Sequence, residues 1–264
     1  MTGPLVTTIF TASRASGARV LAESLARHHP GVPLVGALVG PPPPGGLPFP
    51  AIPAGGLGAL VHDDVMAVCC SLKPLLLLHL LGRGHTSVLY LDPDQQLLAP
   101  IPDVLERVER HAMVLSPHLV HPYDAGRELY VLESGAYNGG LVGVSDRPET
   151  RRFLEAWADR VRRHPELAPG RGLNYDQRWL DLAPGHVDDL HVLRAPDVNV
   201  GHWRLPVTER PRLMHFSAFD PDRPHRVSRH SDEPPGAVAP LLADYARALR
   251  AAGWEESSGH SGFR

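Results

Sequence analysis

Lysine is almost missing from this chain. Lys73 stands alone among 26 Lys and Arg residues. Those bases fall just short of the 29 acids, for a formal charge of −3. Nothing in that balance favours bulk attraction to nucleic acid or to an anionic membrane. Cysteine is scarce as well. Cys69 and Cys70 are the only two, and they are adjacent, a spacing that offers poor geometry and little loop entropy for a staple. A reduced, cytoplasmic protein is therefore expected. The opening MTGPLVTTIFTASRASGARV lacks the basic start and long apolar run of a signal peptide. The most apolar stretch, KPLLLLHLLG (Lys73–Gly82), is too short to span a bilayer, so no transmembrane segment is expected. No internal repeat is visible, and the 16 histidines form no tract.

What is present suits a globular protein. The 264 residues are 43% hydrophobic, enough for one large domain or two closely joined halves. LVTTIF (5–10) reads as a buried first strand, ARVLAESLARHHPG as an amphipathic helix stopped by Pro30-Gly31, and VPLVGALVG (32–40) as a second buried strand. Strand, helix, strand in this order predicts a βαβ unit and a parallel sheet. PPPPGGLPFPAIPAGG (41–56) reads as a loop with polyproline character. HDDVMAVCCSLKPLLLLHLLGRGH is helical on either side of Pro74, which should break or kink it. Further helices are expected at IPDVLERVERHA, RPETRRFLEAWADRVRRHP, NYDQRWLDLAP and AVAPLLADYARALRAAGW, and strands at MVLSPH, YNGGLVGV and RLMHFSAFDP. No polar linker divides the chain. One domain over 1–254 is expected, with halves at about 1–100 and 101–254 and a disordered tail at 255–264.

SVLYLDPDQQLLAP (87–100) poses the chemical question, because a buried strand ends in two aspartates with a proline between them. Residues i and i+2 of a strand share a side, and Pro93 pushes Asp92 toward extended geometry. Paired carboxylates repel unless a cation lies between them or one keeps a proton. Magnesium and manganese favour such hard oxygen ligands, usually beside substrate phosphates. Strand C-termini are also where open parallel sheets bind ligands. Taken alone, however, LDPD favours a turn. A phosphatase-type Asp-x-Asp fits less well, since Gln96 stands where Thr or Val would follow.

The segment SLKPLLLLHLLGRGHTSVLYLDPDQQLLAPI resembles the DXD region of bacterial GT-A glycosyltransferases, in which a Lys-Pro helix precedes a strand ending Tyr-Leu-Asp-x-Asp. TTIFTASRASGARVLAESLARHHPG looks like their nucleotide-binding strand and helix. YNGGLVGV is similar to the Asn-x-Gly strand of the retaining, glycogenin-like (family 8) branch, NYDQRWL to its Asp-Gln helix start, and LMHFSAFDP to its late His-Phe-x-Gly segment. VSRH (227–230) also fits. The matches keep their order from about Thr7 to Trp254.

The resemblance implies an α/β, Rossmann-like GT-A domain, with a mostly parallel central sheet flanked by helices and a smaller acceptor-side subsheet. It implies a metal-dependent, retaining hexosyltransferase that uses a UDP-sugar. Asp92, Asp94 and His215 would hold Mn2+ or Mg2+, with the nitrogen ligand favouring manganese. Asp176 would accept sugar hydroxyls, Gln177 would lie near the anomeric carbon, and Asn138 would reach the sugar or the acceptor. Gly139 and Gly140 would let backbone approach the sugar, Lys73 would meet a phosphate or Asp92, and Thr8, Phe10 and Thr11 would hold the nucleoside. Trp203 would stack on a sugar or sit in the core. Ala218 departs from the pattern, because glycine is usual there. The acceptor could be a glycan, a peptide or a small natural product. Two other readings stay open: a sugar-nucleotide hydrolase or nucleotidyltransferase, and a non-catalytic sugar-nucleotide-binding module.

Overall fold

The computed structural model describes residues 3–59, 61–206, 210–231 and 236–255. The expected disordered tail lies outside the described residues apart from Glu255. In chain order the strands and helices are β1 (Leu5–Thr11), α1 (Ala15–His28), β2 (Leu34–Val39), β3 (Ala51–Pro53), α2 (Val65–Gly82), β4 (Ser87–Leu91) and β5 (Gln95–Leu97). They continue with α3 (Pro102–Arg110), β6 (Met113–Pro117), α4 (Ala125–Ser134), β7 (Tyr137–Ser145), α5 (Pro148–Arg163), β8 (Leu167–Ala168) and β9 (Leu173–Asn174). The last are β10 (Leu190–Val192), β11 (Val198–Val200), β12 (Leu213–His215) and α6 (Ala239–Ala251).

The central sheet has seven strands in the order β10-β6-β7-β4-β1-β2-β3. β4, β1, β2 and β3 run parallel, as do β10 and β6, while β7 is antiparallel to both of its neighbours. A small sheet, β11-β12-β5, stands beside it. This is the mixed α/β, mostly parallel arrangement expected from the sequence. β4 is buried along its whole length, as a central parallel strand must be. Its side chains alternate between two cores. Val88 and Tyr90 join a cluster with Leu72, Leu76, Phe153 and Trp157 from α2 and α5. Leu89 and Leu91 join Leu21 and Leu25 of α1 and Val104 and Val108 of α3. A third cluster packs Phe216 and Phe219 against Leu242, Tyr245 and Leu249 of α6.

Three local expectations are corrected, and one helix was not foreseen. α2 runs unbroken from Val65 to Gly82 with Pro74 inside it. Its packing against the sheet and α5 outweighs the one backbone bond that Pro74 removes. At 18 residues it is also longer than its apolar run suggested, and by length and composition it could cross a membrane; half of it is buried inside the protein. Ala51–Pro53, inside the proline-rich stretch, pairs with β2 as the edge strand, where a missing N–H is tolerated. NYDQRWLDLAP forms a 3-10 helix, Gln177–Gly185, with Pro184 inside it. Asn174, ahead of that helix, lies in β9, with Nδ2 3.5 Å from the Ser134 carbonyl. α4 was not foreseen from the sequence; Asp124 caps it by accepting from the Arg127 N–H at 3.0 Å.

Candidate metal and donor site

β4 delivers Asp92 and Asp94 to the C-terminal edge of the central sheet, and β5 begins directly after them. Gln95 of β5 pairs with His215 of β12, so the small sheet folds back and sets His215 over the two aspartates. His215 Nε2 lies 3.2 Å from Asp94 Oδ1 and 3.7 Å from Asp92 Oδ2. Among the described residues, Asp92, Asp94 and His215 form the one group of three such side chains whose ligand atoms all lie within 4.8 Å of one another. The loop between the aspartates is held tightly. A Cβ on Gly17 of α1 would come within 2.6 Å of the Pro93 carbonyl oxygen.

The donor set suits a hard divalent cation: two carboxylates and one imidazole, on backbone fixed by two sheets. Electrostatics agree. Burial alone would raise the Asp94 carboxyl, but the His215 imidazole beside it holds it below its ordinary range. Burial alone would lower His215, and the neighbouring Asp94 and Asp92 lift it above its ordinary range instead. The site thus draws positive charge toward the space between these groups.

Lys73, the single lysine, comes from the middle of α2 and is only 6% exposed. Its ammonium lies 3.0 Å from Asp176 Oδ2 and 3.6 Å from Asp92 Oδ1, and it donates to the Gly139 carbonyl at 3.0 Å. Burial works against its charge, but the two carboxylates outweigh burial and keep it protonated. The Tyr90 hydroxyl donates to Asp92 Oδ1 at 2.7 Å, as expected for i and i+2 on one face of a strand. Lys73 is a buried counter-ion shared by two acids.

β7 closes the site from the other side. A Cβ on Gly140 would come within 2.4 Å of His215 Cε1 and 2.8 Å of both Asn138 Oδ1 and Asp92 Oδ2, so only glycine fits. Gly139 faces Lys73 and Asp176 with slightly more room. Gln177 Oε1 accepts from the Gly139 N–H at 2.9 Å and Asn138 Nδ2 at 3.3 Å, and its amide nitrogen donates to the Ser134 carbonyl at 2.8 Å. Asn138 Oδ1 accepts from the Gly140 N–H at 3.0 Å and from Asn199 Nδ2 at 3.1 Å. The structure therefore gathers Lys73, Asp92, Asp94, Asn138, Gly139, Asp176, Gln177 and His215 at one place.

The nucleoside candidates lie on β1, the strand beside β4, where Thr7 pairs with Tyr90. Thr8 and Phe10 are inside the sheet, at 0% and 1% exposure, and Phe10 packs edge-on against Phe49. Thr11 is half-buried, with Oγ1 2.9 Å from Ser13 Oγ. Trp203 is core, set edge-on to both His215 and His118 at 5.2 Å. Ala218 has φ 54°, so the backbone keeps the left-handed turn that glycine would serve, at a cost in strain. Tyr175 (46°) and Asn199 (57°) share this feature; Tyr175 directly precedes Asp176, and Ala218 lies three residues after His215.

Sequence reasoning missed Tyr90, His118, Asn199 and Gln95 as parts of the site. His118 Nδ1 donates to the Gly135 carbonyl at 2.7 Å and its Nε2 accepts from Asn138 Nδ2 at 3.2 Å. Burial lowers its pKa to about 3, so it is a neutral prop for Asn138.

No family model matches the chain. Among curated proteins it is 27% identical to the uncharacterized protein YfnF of Bacillus subtilis (strain 168) over 145 residues, 53% of this chain and 48% of that protein. The chain spans about half the length of that relative. Among solved structures it is similar to the galactosyltransferase LgtC in complex with donor and acceptor sugar analogs (TM-score 0.56, 12% identity, 92% of this chain and 95% of that one). It is also similar to the glycosyltransferase GlyE of Streptococcus pneumoniae TIGR4 (0.57, 13%, 98% and 66%) and to mouse xyloside xylosyltransferase 1 (0.52, 13%, 80% and 97%). At these identities the likeness establishes the fold, which is that of GT-A glycosyltransferases.

Proposed function

We propose that the protein is a metal-dependent glycosyltransferase that moves a hexose from a UDP-sugar to an acceptor hydroxyl with retention of configuration. The observation that carries this reading is the Asp92–Asp94–His215 cluster at the C-terminal end of β4, on a fold shared with glycosyltransferases. Asp92, Asp94 and His215 would hold Mn2+ or Mg2+, and the metal would neutralise charge on a departing diphosphate.

The other residues act around that centre. Lys73 neutralises Asp92 and Asp176 from behind and so leaves the outer carboxylate oxygens for the metal and donor. Asp176, Gln177 and Asn138 form the wall on which the donor sugar rests, with Gly139 and Gly140 giving it backbone to approach. Thr11, at the open end of β1, would meet the nucleoside, with Thr8 and Phe10, both buried in that strand, supporting the sheet beneath it. Asp176 is buried and ion-paired, so it is a poor nucleophile, which favours attack from the leaving-group face aided by a phosphate oxygen. One domain over 1–254 would carry the whole reaction, the first 100 residues serving the nucleotide and the rest serving sugar and acceptor.

A UDP-hexose panel with Mn2+, read by release of UDP with and without candidate glycan, peptide and small-molecule acceptors, tests this. Release that depends on acceptor supports transfer. Release of UDP without any glycosylated product would support the hydrolase reading instead, and binding without release the non-catalytic one. Anomeric NMR of the product showing inversion would overturn the retaining mechanism.

A further inference from the structure

We infer that Asn199 is a positioning residue that fixes the tautomer of His215, so that Nε2 presents a lone pair to the cation held with Asp92 and Asp94. The inference rests on the metal reading above but stands on its own geometry.

One backbone group here has a polarity that cannot be reassigned. The Gly140 N–H must donate, and the atom it meets is Asn138 Oδ1 at 3.0 Å. That fixes which end of the Asn138 amide is oxygen. The other end, Nδ2, faces His118 Nε2 at 3.2 Å, and that nitrogen accepts because Nδ1 of the same ring donates to the Gly135 carbonyl at 2.7 Å. Two independent contacts thus agree on the Asn138 orientation. Asn138 Oδ1 also meets the Asn199 amide at 3.1 Å, so that end of Asn199 is its NH2. Asn199 Oδ1 then faces the other way, toward His215 Nδ1 at 3.0 Å, and takes the Gln95 amide at 2.8 Å as well. The Gln95 amide nitrogen also lies 3.2 Å from His215 Nδ1, but its shorter contact, 2.8 Å, is the one to Asn199 Oδ1; the acceptor nearest Nδ1 is therefore Asn199 Oδ1 at 3.0 Å, which places the proton on Nδ1. The lone pair of a neutral His215 is then on Nε2, the nitrogen 3.2 Å and 3.7 Å from the two aspartates. A lone pair facing two carboxylates is repulsive until a cation lies between them.

The fold puts Asn199 in place by a local irregularity. Val198 pairs with Leu213 and Val200 with Met214, leaving Asn199 as an extra residue between adjacent partners on β12. Its φ is 57° and it is wholly buried. Such bulges re-aim side chains beside active sites, and asparagine tolerates the left-handed region better than most residues. Ligating histidines commonly have their second nitrogen held by an oxygen, and losing that partner typically costs 10–100-fold in metal affinity.

Two variants separate the side chain from the backbone. Asn199→Gly keeps the left-handed turn without strain but removes the oxygen. Asn199→Asp keeps an oxygen at His215 Nδ1 and gives up only the donor to Asn138 Oδ1. Mn2+ binding to the full chain, measured by calorimetry, is expected to weaken about 10–100-fold in Asn199→Gly and to recover in Asn199→Asp. In the metal-free protein, ¹⁵N shifts of His215 at the alkaline end of a pH titration are expected to show the proton on Nδ1, and a tautomer mixture in Asn199→Gly. Wild-type Mn2+ affinity in Asn199→Gly, or the proton on Nε2 in the wild type, would overturn the inference. If the wild type fails to bind Mn2+, the metal reading fails, and the ¹⁵N result still decides the role of Asn199.

Discussion

Replacing Lys73 by methionine keeps the length of the side chain and removes its charge. Asp176, 2% exposed, would lose the ammonium 3.0 Å from its Oδ2. Asp92 would lose a second contact at 3.6 Å, and the Gly139 carbonyl its donor. Breaking a buried pair by deleting one partner costs about 3–5 kcal/mol, because a buried charge is left uncompensated. A domain of this size loses at least about 2 °C in Tm per kcal/mol, so a drop of roughly 6 °C or more is expected. The effect should depend on pH. Burial pushes the Asp176 carboxyl upward, and without Lys73 the main opposition to that push is gone, leaving only the weaker hydrogen bond of the Cys70 thiol. A raised folded-state pKa means the protonated acid supports the fold below its unfolded value of about 3.9, and that support is lost as pH rises through the folded value. The deficit relative to wild type should therefore be smallest near pH 4 and grow toward neutrality. Adding Asp176→Asn should recover a large part of it, since the orphaned charge is then gone. Urea unfolding of the four proteins of this cycle, between pH 4 and 8, is the assay. A deficit below about 1 kcal/mol, the scale of a surface pair such as Arg27–Glu23, or one flat across that range, would refute the buried counter-ion account.

Other outcomes follow from the same geometry. Gly140→Ala should cut Mn2+ affinity by at least about tenfold, since its methyl must displace His215, Asn138 and Asp92 together; calorimetry checks this, and near-normal binding would contradict the packing described. Mn2+ affinity should rise with pH above about 6.5, because the metal competes with the proton that the aspartates hold on His215; an affinity flat from pH 6 to 9 would contradict that competition. Ala218→Gly should stabilise the protein by about 1 kcal/mol by relieving the residue at φ 54°, with urea midpoints as the readout.

The parts of the fold that follow period and composition were readable in the sequence. β1, β2 and β4 are continuous apolar runs flanked by helical patterns, and they proved to be neighbouring parallel strands. The aspartate pair, the late histidine, the asparagine and the Asp-Gln pair could be proposed only through their order along the chain, yet the structure brings them to one place. What escaped depended on distant partners. Lys73 was expected at a phosphate or at Asp92, and it lies 3.6 Å from Asp92, but its closer contacts to Asp176 and the Gly139 carbonyl come from elements distant in sequence. Pro74 signals a break that tertiary packing overrides, and Pro184 helped make a 3-10 helix of what read as an α-helix. Asn199 had no signal at all: its role needs a bulge in a three-residue strand and contacts to β5, β7 and β12. Thr8 and Phe10 were read from their place at a strand end, but their side chains turn into the sheet.

The central claim is that Asp92, Asp94 and His215 hold a divalent cation that in turn holds a nucleoside diphosphate. The most direct measurement is calorimetric binding of UDP to the wild type and to Asp94→Ala, first with Mn2+ and then with EDTA. The account predicts binding by the wild type that disappears with EDTA and disappears in Asp94→Ala. UDP binding of equal strength with and without Mn2+, or unchanged by Asp94→Ala, would contradict it.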